Sequence, residues 1–213
     1  MRRPVLGIIA GPNGSGKSFL KQELARLSWF HGYRFLNPDE LARSLGDQND
    51  PVITLRAAQQ AQIQRYAYLS ARESFFFETV FSAPEKLEFL NQARTRGYFI
   101  RLFFIGTDNP ELNAARVARR VLGGGHDVPI PKILSRYRGA MIQAAKAASR
   151  VDRFYLFDNS VDGVAPRLVF WAALGVCKDI AIEPPRWTRP ILASVSPVPR
   201  RFSVHRALSP KRM

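Results

Sequence analysis

Cysteine is nearly absent from the chain. Cys177 is the single one in 213 residues, so no internal disulfide framework can form, and the thiol is expected to be buried and inert in a reducing compartment. Acidic residues are scarce beside basic ones: 17 Asp+Glu against 32 Lys+Arg give a net charge of +15 at pH 7, which calls for an anionic partner. Long apolar runs are missing as well. The longest, such as Leu168 to Val176, fall well short of the roughly 18 residues that a membrane-spanning helix needs, and the N-terminus lacks the apolar stretch of a signal peptide. A soluble cytoplasmic protein with no membrane partner is the expectation. With three histidines, no spacing of His, Cys and acids supports a zinc site. What is present, 46% hydrophobic and 23% charged residues, suits one ordinary globular domain with a sizeable core.

The positive charge is unevenly spread. Residues 184–213 hold seven basic side chains, no acid and six prolines, which reads as a basic, proline-rich C-terminal tail lying on the surface or disordered. Trp187 and Ile191-Leu192 would pin its first part to a domain formed by residues 1–183. The surplus of positive charge over that domain is eight.

Within the domain, β-branched and aromatic runs alternate with helical periodicity. Strands are expected at residues 4–10, 33–36, 75–77, 98–105 and 153–157. Helices are expected from Gly16 to about Phe30, from Asp50-Pro51 to about Glu73 with Ile63, Tyr66 and Leu69 inward, from a capping box at Ser82–Glu85 to about Arg96, from Asn109-Pro110 to Leu122, and from Pro131 to Ser149. Residues 168–173 and 176–182 read either as a closing β-hairpin or as a helix. The alternation predicts a three-layer α/β fold with a mainly parallel sheet.

Residues 11–18, GPNGSGKS, fit G-x-x-x-x-G-K-[ST] between a predicted strand and a predicted helix. Gly11, Pro12, Asn13, Gly14, Ser15 and Gly16 would turn consecutive amides toward phosphate oxygens at a helix N-terminus. Lys17 would reach the β- and γ-phosphates of ATP, and the Ser18 hydroxyl would ligate Mg²⁺.

A P-loop alone does not separate a kinase from a switch or a motor. Two groups of residues narrow the choice. Asn37-Pro38-Asp39-Glu40 and Glu78-Thr79 follow strands, where loops at the carboxyl ends of a parallel sheet line the ligand crevice. A carboxylate there can align an acceptor hydroxyl with the γ-phosphate and take its proton. Asp39 is the candidate base, or else a helix cap; Glu78 positions substrate or metal. Arg116, Arg119 and Arg120 share one sector of the 110–122 helix, either as a clamp over the triphosphate or as a solvated basic face. The glycine loop after them could close and bring His126 or Arg136 inward. Asp158-Asn159-Ser160 ends the last core strand near the expected adenine position, or forms an Asx turn.

Taken together, GPNGSGKS, NPDE at 37–40, ETVFS at 78–82, GY and the apolar strand at 97–105, the arginine helix ending in GGHDVP at 124–129, Arg136-Tyr137 and FDNS at 157–160 resemble the zeta toxin family of P-loop kinases, in particular its compact stand-alone bacterial members. The resemblance covers about residues 5–160. It implies an ATP-dependent kinase, and well-known members phosphorylate the 3′-hydroxyl of the amino sugar in UDP-N-acetylglucosamine. Carried over by motif, it implies Lys17 and Ser18 for phosphate and Mg²⁺, Asp39 as the base, Asn37, Glu78 and Thr79 as substrate contacts, and Arg120 with Arg116, His126 and Arg136 as the basic clamp. Toxicity and a neutralising antitoxin partner are implied in the same way. Two other readings stay open: a kinase of another nucleotide or nucleic-acid hydroxyl, and an ATP-regulated module whose basic tail binds nucleic acid.

Overall fold

Side chains of a strand alternate between two faces, and the first strand, β1 (Val5–Ala10), shows how the layers arise. Leu6, Ile8 and Ala10 enter one core and Ile9 enters another, all four without solvent exposure. A strand buried on both faces belongs inside a sheet covered on both sides. The computed structural model, which describes residues 3–197, has that sheet. Its seven strands also include β2 (Arg34–Leu36), β3 (Phe75–Thr79), β4 (Phe99–Gly106), β5 (Arg153–Asp158), β6 (Arg167–Ala173) and β7 (Val176–Ile180), in the spatial order β2-β3-β1-β4-β5-β6-β7. The first five are parallel, and β6 and β7 continue the sheet antiparallel as a hairpin. The expected three-layer α/β fold with a mainly parallel sheet is borne out, and the hairpin reading of residues 168–182 prevails over the helical one.

On one face, α1 (Lys17–Ala25) lays Leu20 and Leu24 against Ile9, Phe76, Phe103 and Ile105. On the other, α4 (Glu85–Thr95) and α6 (Ile130–Ala148) bury Leu87, Leu90, Ala93, Ala140, Ala144 and Ala147 over Ile8, Phe77, Leu102 and Phe154. Between α5 (Pro110–Leu122) and α6, Val117, Val128 and Ile133 form a small separate core that ties the glycine loop to both helices.

Several local expectations are corrected. The first helix stops at Ala25 rather than Phe30 because Leu27 is extended, and a 3₁₀ turn at Ser28–Phe30 swings Phe30 to 4.7 Å from Phe76. Helix α3 (Pro51–Ala71) keeps its Asp50 cap, yet Ile63 is 69% exposed; the buried stripe is Ala57, Ala61, Arg65 and Leu69, spaced four apart. Of the three expected residues Leu69 is fully buried, whereas Ile63 and Tyr66 face outward, and Ala57 and Ala61 continue the inward face. The capping box at Ser82 to Glu85 does not form, since Pro84 occupies the cap position and offers no side-chain acceptor. Past residue 183, a 3₁₀ turn at Arg186–Thr188 leads into the short α7 (Arg189–Leu192), with Thr188 and Ile191 fully buried. The tail's remaining basic residues, Arg200, Arg201, Arg206, Lys211 and Arg212, lie outside the described residues.

Candidate active site

The phosphate-type loop joins β1 to α1, and its shape depends on residues far away in sequence. Gly14 has φ +74° and Gly16 φ +98°, a region that side chains disfavour. Space matters as much as torsion. A Cβ on Gly14 would lie 2.5 Å from the Asn113 carbonyl oxygen, and one on Gly16 would lie 2.4 Å from the Asn159 amide nitrogen. The missing side chains let two asparagines grip the loop: Asn113 on α5 donates to the Asn13 carbonyl at 2.6 Å, and Asn159 after β5 donates to the Ser15 carbonyl at 2.8 Å. Asn113 is fully buried and in turn accepts from the Thr107 hydroxyl. Gly11 N–H donates to the Thr79 carbonyl at 3.3 Å, which ties the loop to the end of β3. Lys17 folds back to donate to the Pro12 carbonyl at 2.9 Å, while Ser18 is solvent-facing at the start of α1.

The acids arrive from the neighbouring strands. Helix α2 (Pro38–Leu45) starts directly after β2, with Asn37 as its cap: the Asn37 side chain accepts from Asp39 N–H at 2.9 Å. The capping role is therefore Asn37's, which leaves the Asp39 carboxylate free of it. Asn37 also donates to Glu78 at 3.4 Å, and Lys21 on α1 pairs with Glu40 at 2.5 Å, so α2 is held against both the loop helix and β3. Glu78 is 7% exposed at the end of β3. The loop beyond it turns through Phe81 at φ +59°, where the Phe81 N–H donates to the Thr79 hydroxyl at 3.1 Å.

The electrostatics show which groups share one space. Burial pulls the Lys17 ammonium below its ordinary value; Glu78 and Asp39 oppose this, while Arg120 and Arg136 add to it. Burial likewise pushes the Glu78 carboxyl up, against Lys17 and Lys21 and with Asp39 and Glu40. Burial also lowers the Arg136 guanidinium, and Asp39 counteracts it. Lys17, Asp39, Glu78, Arg120 and Arg136 thus face one another from five separate elements.

The basic residues divide into two sets. Arg136 donates to the Asn13 side chain at 3.3 Å, directly over the loop, and Arg120 donates to the His126 carbonyl at 2.8 Å. The His126 Nδ1 is buried without a partner among the described residues. Arg116 points elsewhere: it holds Asp162 at 2.6 Å and the Asn159 carbonyl at 2.9 Å, and Arg119 holds the same Asp162 at 2.5 Å. Here Arg116 ties α5 to the loop after β5. Sequence reasoning missed Asn113, Asp162 and the support that the Asn159 amide gives the loop backbone. An asparagine interrupting the apolar sector of α5 was the one available signal for the first.

A lysine at a glycine-rich helix N-terminus, two carboxylates opposite and mobile-chain cations above can bind a polyphosphate and orient a hydroxyl toward it. Among the described residues, no cluster of three His, Cys, Asp or Glu is arranged to hold a metal, and no helix is long and apolar enough to cross a membrane. The Ser18 hydroxyl, exposed and without a hydrogen bond among the described residues, fits Mg²⁺, which keeps most of its shell as water and phosphate oxygens.

Comparison with known proteins follows the same outline. The family model described as Zeta toxin matches residues 1–162. An uncharacterised protein of Haemophilus influenzae is 26% identical over 130 residues, covering 60% of this chain and 88% of its own. The ATP-containing complex of AvrRxo1-ORF1 with AvrRxo1-ORF2 superposes with a TM-score of 0.66 at 16% identity, over 95% of this chain; the chain spans 66% of that protein's length, just under two thirds. The PezAT chromosomal toxin-antitoxin system of Streptococcus pneumoniae superposes with a TM-score of 0.54 at 15% identity, over 78% of this chain and 72% of that one.

Proposed function

The chain belongs to the Zeta toxin family, and from that premise we propose that it transfers the γ-phosphate of ATP to a hydroxyl of a sugar nucleotide, with UDP-N-acetylglucosamine the first acceptor to test. The observation that carries the reading is the shared electrostatic neighbourhood of Lys17, Asp39, Glu78, Arg120 and Arg136. A purely structural P-loop would not need two acids opposite its lysine.

In this reading the loop amides and Lys17 hold the β- and γ-phosphates, and Asn113 and Asn159 keep those amides in place. Bound at Ser18, Mg²⁺ would neutralise charge between the β- and γ-oxygens. Glu78 and Asn37 hold the acceptor, and Asp39 accepts its hydroxyl proton as the O–P bond forms and the bond from the γ-phosphorus to the bridging oxygen breaks, releasing ADP. Arg120 and Arg136 offset the charge that shifts to the equatorial and leaving oxygens. Such a clamp is preformed only in part here, because Arg120 is still bound to the His126 carbonyl. Closure of the glycine loop on ATP would free it. Membership also supports a neutralising partner protein, since the PezAT neighbour is a toxin-antitoxin system.

Mass spectrometry of a UDP-sugar panel incubated with ATP, Mg²⁺ and the protein tests the proposal. A gain of one phosphate on one sugar nucleotide is the expected result. A gain only on a dinucleotide or on a 5′-hydroxyl RNA included in the panel would replace the acceptor and keep the kinase; no gain on any member, with ATP merely hydrolysed, would refute the reading.

A further inference from the structure

Helix α3 has a second face. Val52, Leu55, Ile63 and Tyr66 are 70%, 61%, 69% and 37% exposed, and at 3.6 residues per turn they fall, with Gln59 between them, in one sector of about 80°. The buried stripe of Ala57, Ala61, Arg65 and Leu69 lies on the other side of the helix. Arg56 is the one charged residue among the exposed positions of α3, although 23% of the chain is charged. A surface helix ordinarily turns charges to water on the side away from its core. Here that side carries a row of large apolar groups along a helix of 21 residues, about 30 Å long. An exposed apolar surface of that kind marks a contact with another macromolecule.

Spacing, the central residue and charge all point to what covers the stripe. Val52, Leu55, Gln59, Ile63 and Tyr66 follow one another at intervals of three, four, four and three, a pattern that reads the same in either direction. Two copies of α3 laid antiparallel about a dyad at Gln59 therefore set Val52 against Tyr66, Leu55 against Ile63, and Gln59 against itself, as an isologous contact requires. A glutamine amide both donates and accepts, so the two Gln59 side chains can bond to each other across the dyad and fix the register. Asp50 caps the start of the helix, Arg72 caps its end, and Asp47 lies in the turn before it, all three exposed. In the antiparallel pair the acidic start of each copy meets the Arg72 of the other, and the helix dipoles oppose. Tyr66 is already held edge-on by Phe89, with ring centres 5.4 Å apart, so little is spent on ordering it when the copies meet.

We infer that the protein forms a two-fold symmetric dimer through the outer face of α3. The contact involves no residue of the P-loop site and holds whatever the acceptor of the phosphate is. A single helix face stands at the small end of specific interfaces, about 1,000 Å² in total, so association in the micromolar range is expected. Each copy carries a net charge of +15, and screening of that repulsion makes the pair tighter as salt is raised.

Sedimentation velocity of the full chain between about 1 and 100 μM, at low and at high salt, tests this. Wild type is expected to pass from monomer to dimer over that range and to shift further toward dimer in high salt. Leu55→Glu or Ile63→Glu would bury a carboxylate from each copy in the seam, and both variants should stay monomeric, with melting temperatures near wild type because the positions are exposed. Gln59→Cys in an oxidising buffer should give a disulfide-linked dimer, which wild type, with its buried Cys177, should not. A wild type that is monomeric at about 100 μM in both salts overturns the dimer. A dimer that persists in both Glu variants, weakens with salt or leaves Gln59→Cys unlinked overturns its placement on α3. Pairing that appears only after residues 198–213 are deleted assigns the stripe to the chain's own C-terminal segment and overturns pairing of the full chain.

Discussion

At the scale of single residues, the site sets Lys17, Glu78 and Arg136 against their own hydration. Lys17 is desolvated in a loop whose carbonyl at Pro12 holds its ammonium, so the energy of meeting a phosphate is not spent on stripping water at the moment of binding. Lys17→Ala is predicted to lower phosphotransfer by about 10²–10³ with the fold intact, as expected for loss of one preorganised donor; circular dichroism and a coupled ADP assay check both halves. Asp39→Asn keeps size and polarity but removes the proton acceptor. It should lower kcat by about 10²–10⁴ with ATP affinity retained, and an unchanged kcat would reduce Asp39 to a helix-start residue. Glu78 gives a stability prediction with a definite sign. Its folded pKa lies above the ordinary value of 4.5, chiefly through burial, so the folded state holds a proton that the unfolded chain has already lost. Stability is therefore lost as pH rises from about 4.5 through the folded value. Glu78→Gln should melt higher than wild type at pH 7, with the difference fading toward pH 4.5; a constant difference across that range would contradict the assignment.

At the scale of elements, α5 is the instructive case. Its buried Asn113 grips the P-loop, and its Arg116 and Arg119 hold Asp162, so the helix joins the loop after β1 to the loop after β5. Asn113→Ala leaves the Asn13 carbonyl without its side-chain donor, while the Thr107 hydroxyl keeps the Asn109 carbonyl. The expected cost is about 1–3 kcal/mol, read as a lower melting temperature together with weaker ATP binding; a melting loss with unchanged ATP affinity would separate the asparagine from the loop. The same element shows what was legible in the sequence. GPNGSGKS is readable because glycine freedom, helix N-terminus and lysine are local properties of eight successive residues. The asparagines are not, because the contacts span 100 residues for Asn113 to Asn13 and 144 for Asn159 to Ser15. Helix α3 was legible only in part: Leu69 is buried as its period suggests, but the rest of the stripe runs through Ala57, Ala61 and Arg65, which periodicity of large apolar residues does not pick out. The boundary of the Ser82–Glu85 helix was misread because a proline in the capping-box spacing takes the cap position itself.

At the scale of the molecule, the positive charge no longer reads as one property. Part surrounds the P-loop as Arg120 and Arg136, part is neutralised structurally as Arg116 and Arg119 on Asp162, and Arg65 is buried on α3 against the face of Phe77. The chain beyond residue 183 also divides. Ile191 is fully buried against the main core, and Trp187 fills the space above Gly106, where a Cβ would come within 2.6 Å of the indole. Ending the chain after residue 183 should therefore destabilise it by about 2–5 kcal/mol, the usual cost of deleting one large buried apolar side chain, and denaturant melts against a chain ending at 197 measure this. The alternation of strands and helices made the three layers legible because each buried strand must be covered on both faces, whereas the packing of residues 184–197 depends on a sheet surface that no local pattern reveals.

The central claim is phosphoryl transfer from ATP to a sugar-nucleotide hydroxyl with Asp39 as the proton acceptor. Its most direct test is a single-turnover experiment with γ-labelled ATP, Mg²⁺ and UDP-N-acetylglucosamine, comparing wild type with Asp39→Asn. The account predicts label on the sugar nucleotide with wild type and about 10²–10⁴ slower transfer with the variant. Label released only as inorganic phosphate, or equal transfer by both proteins, would contradict it.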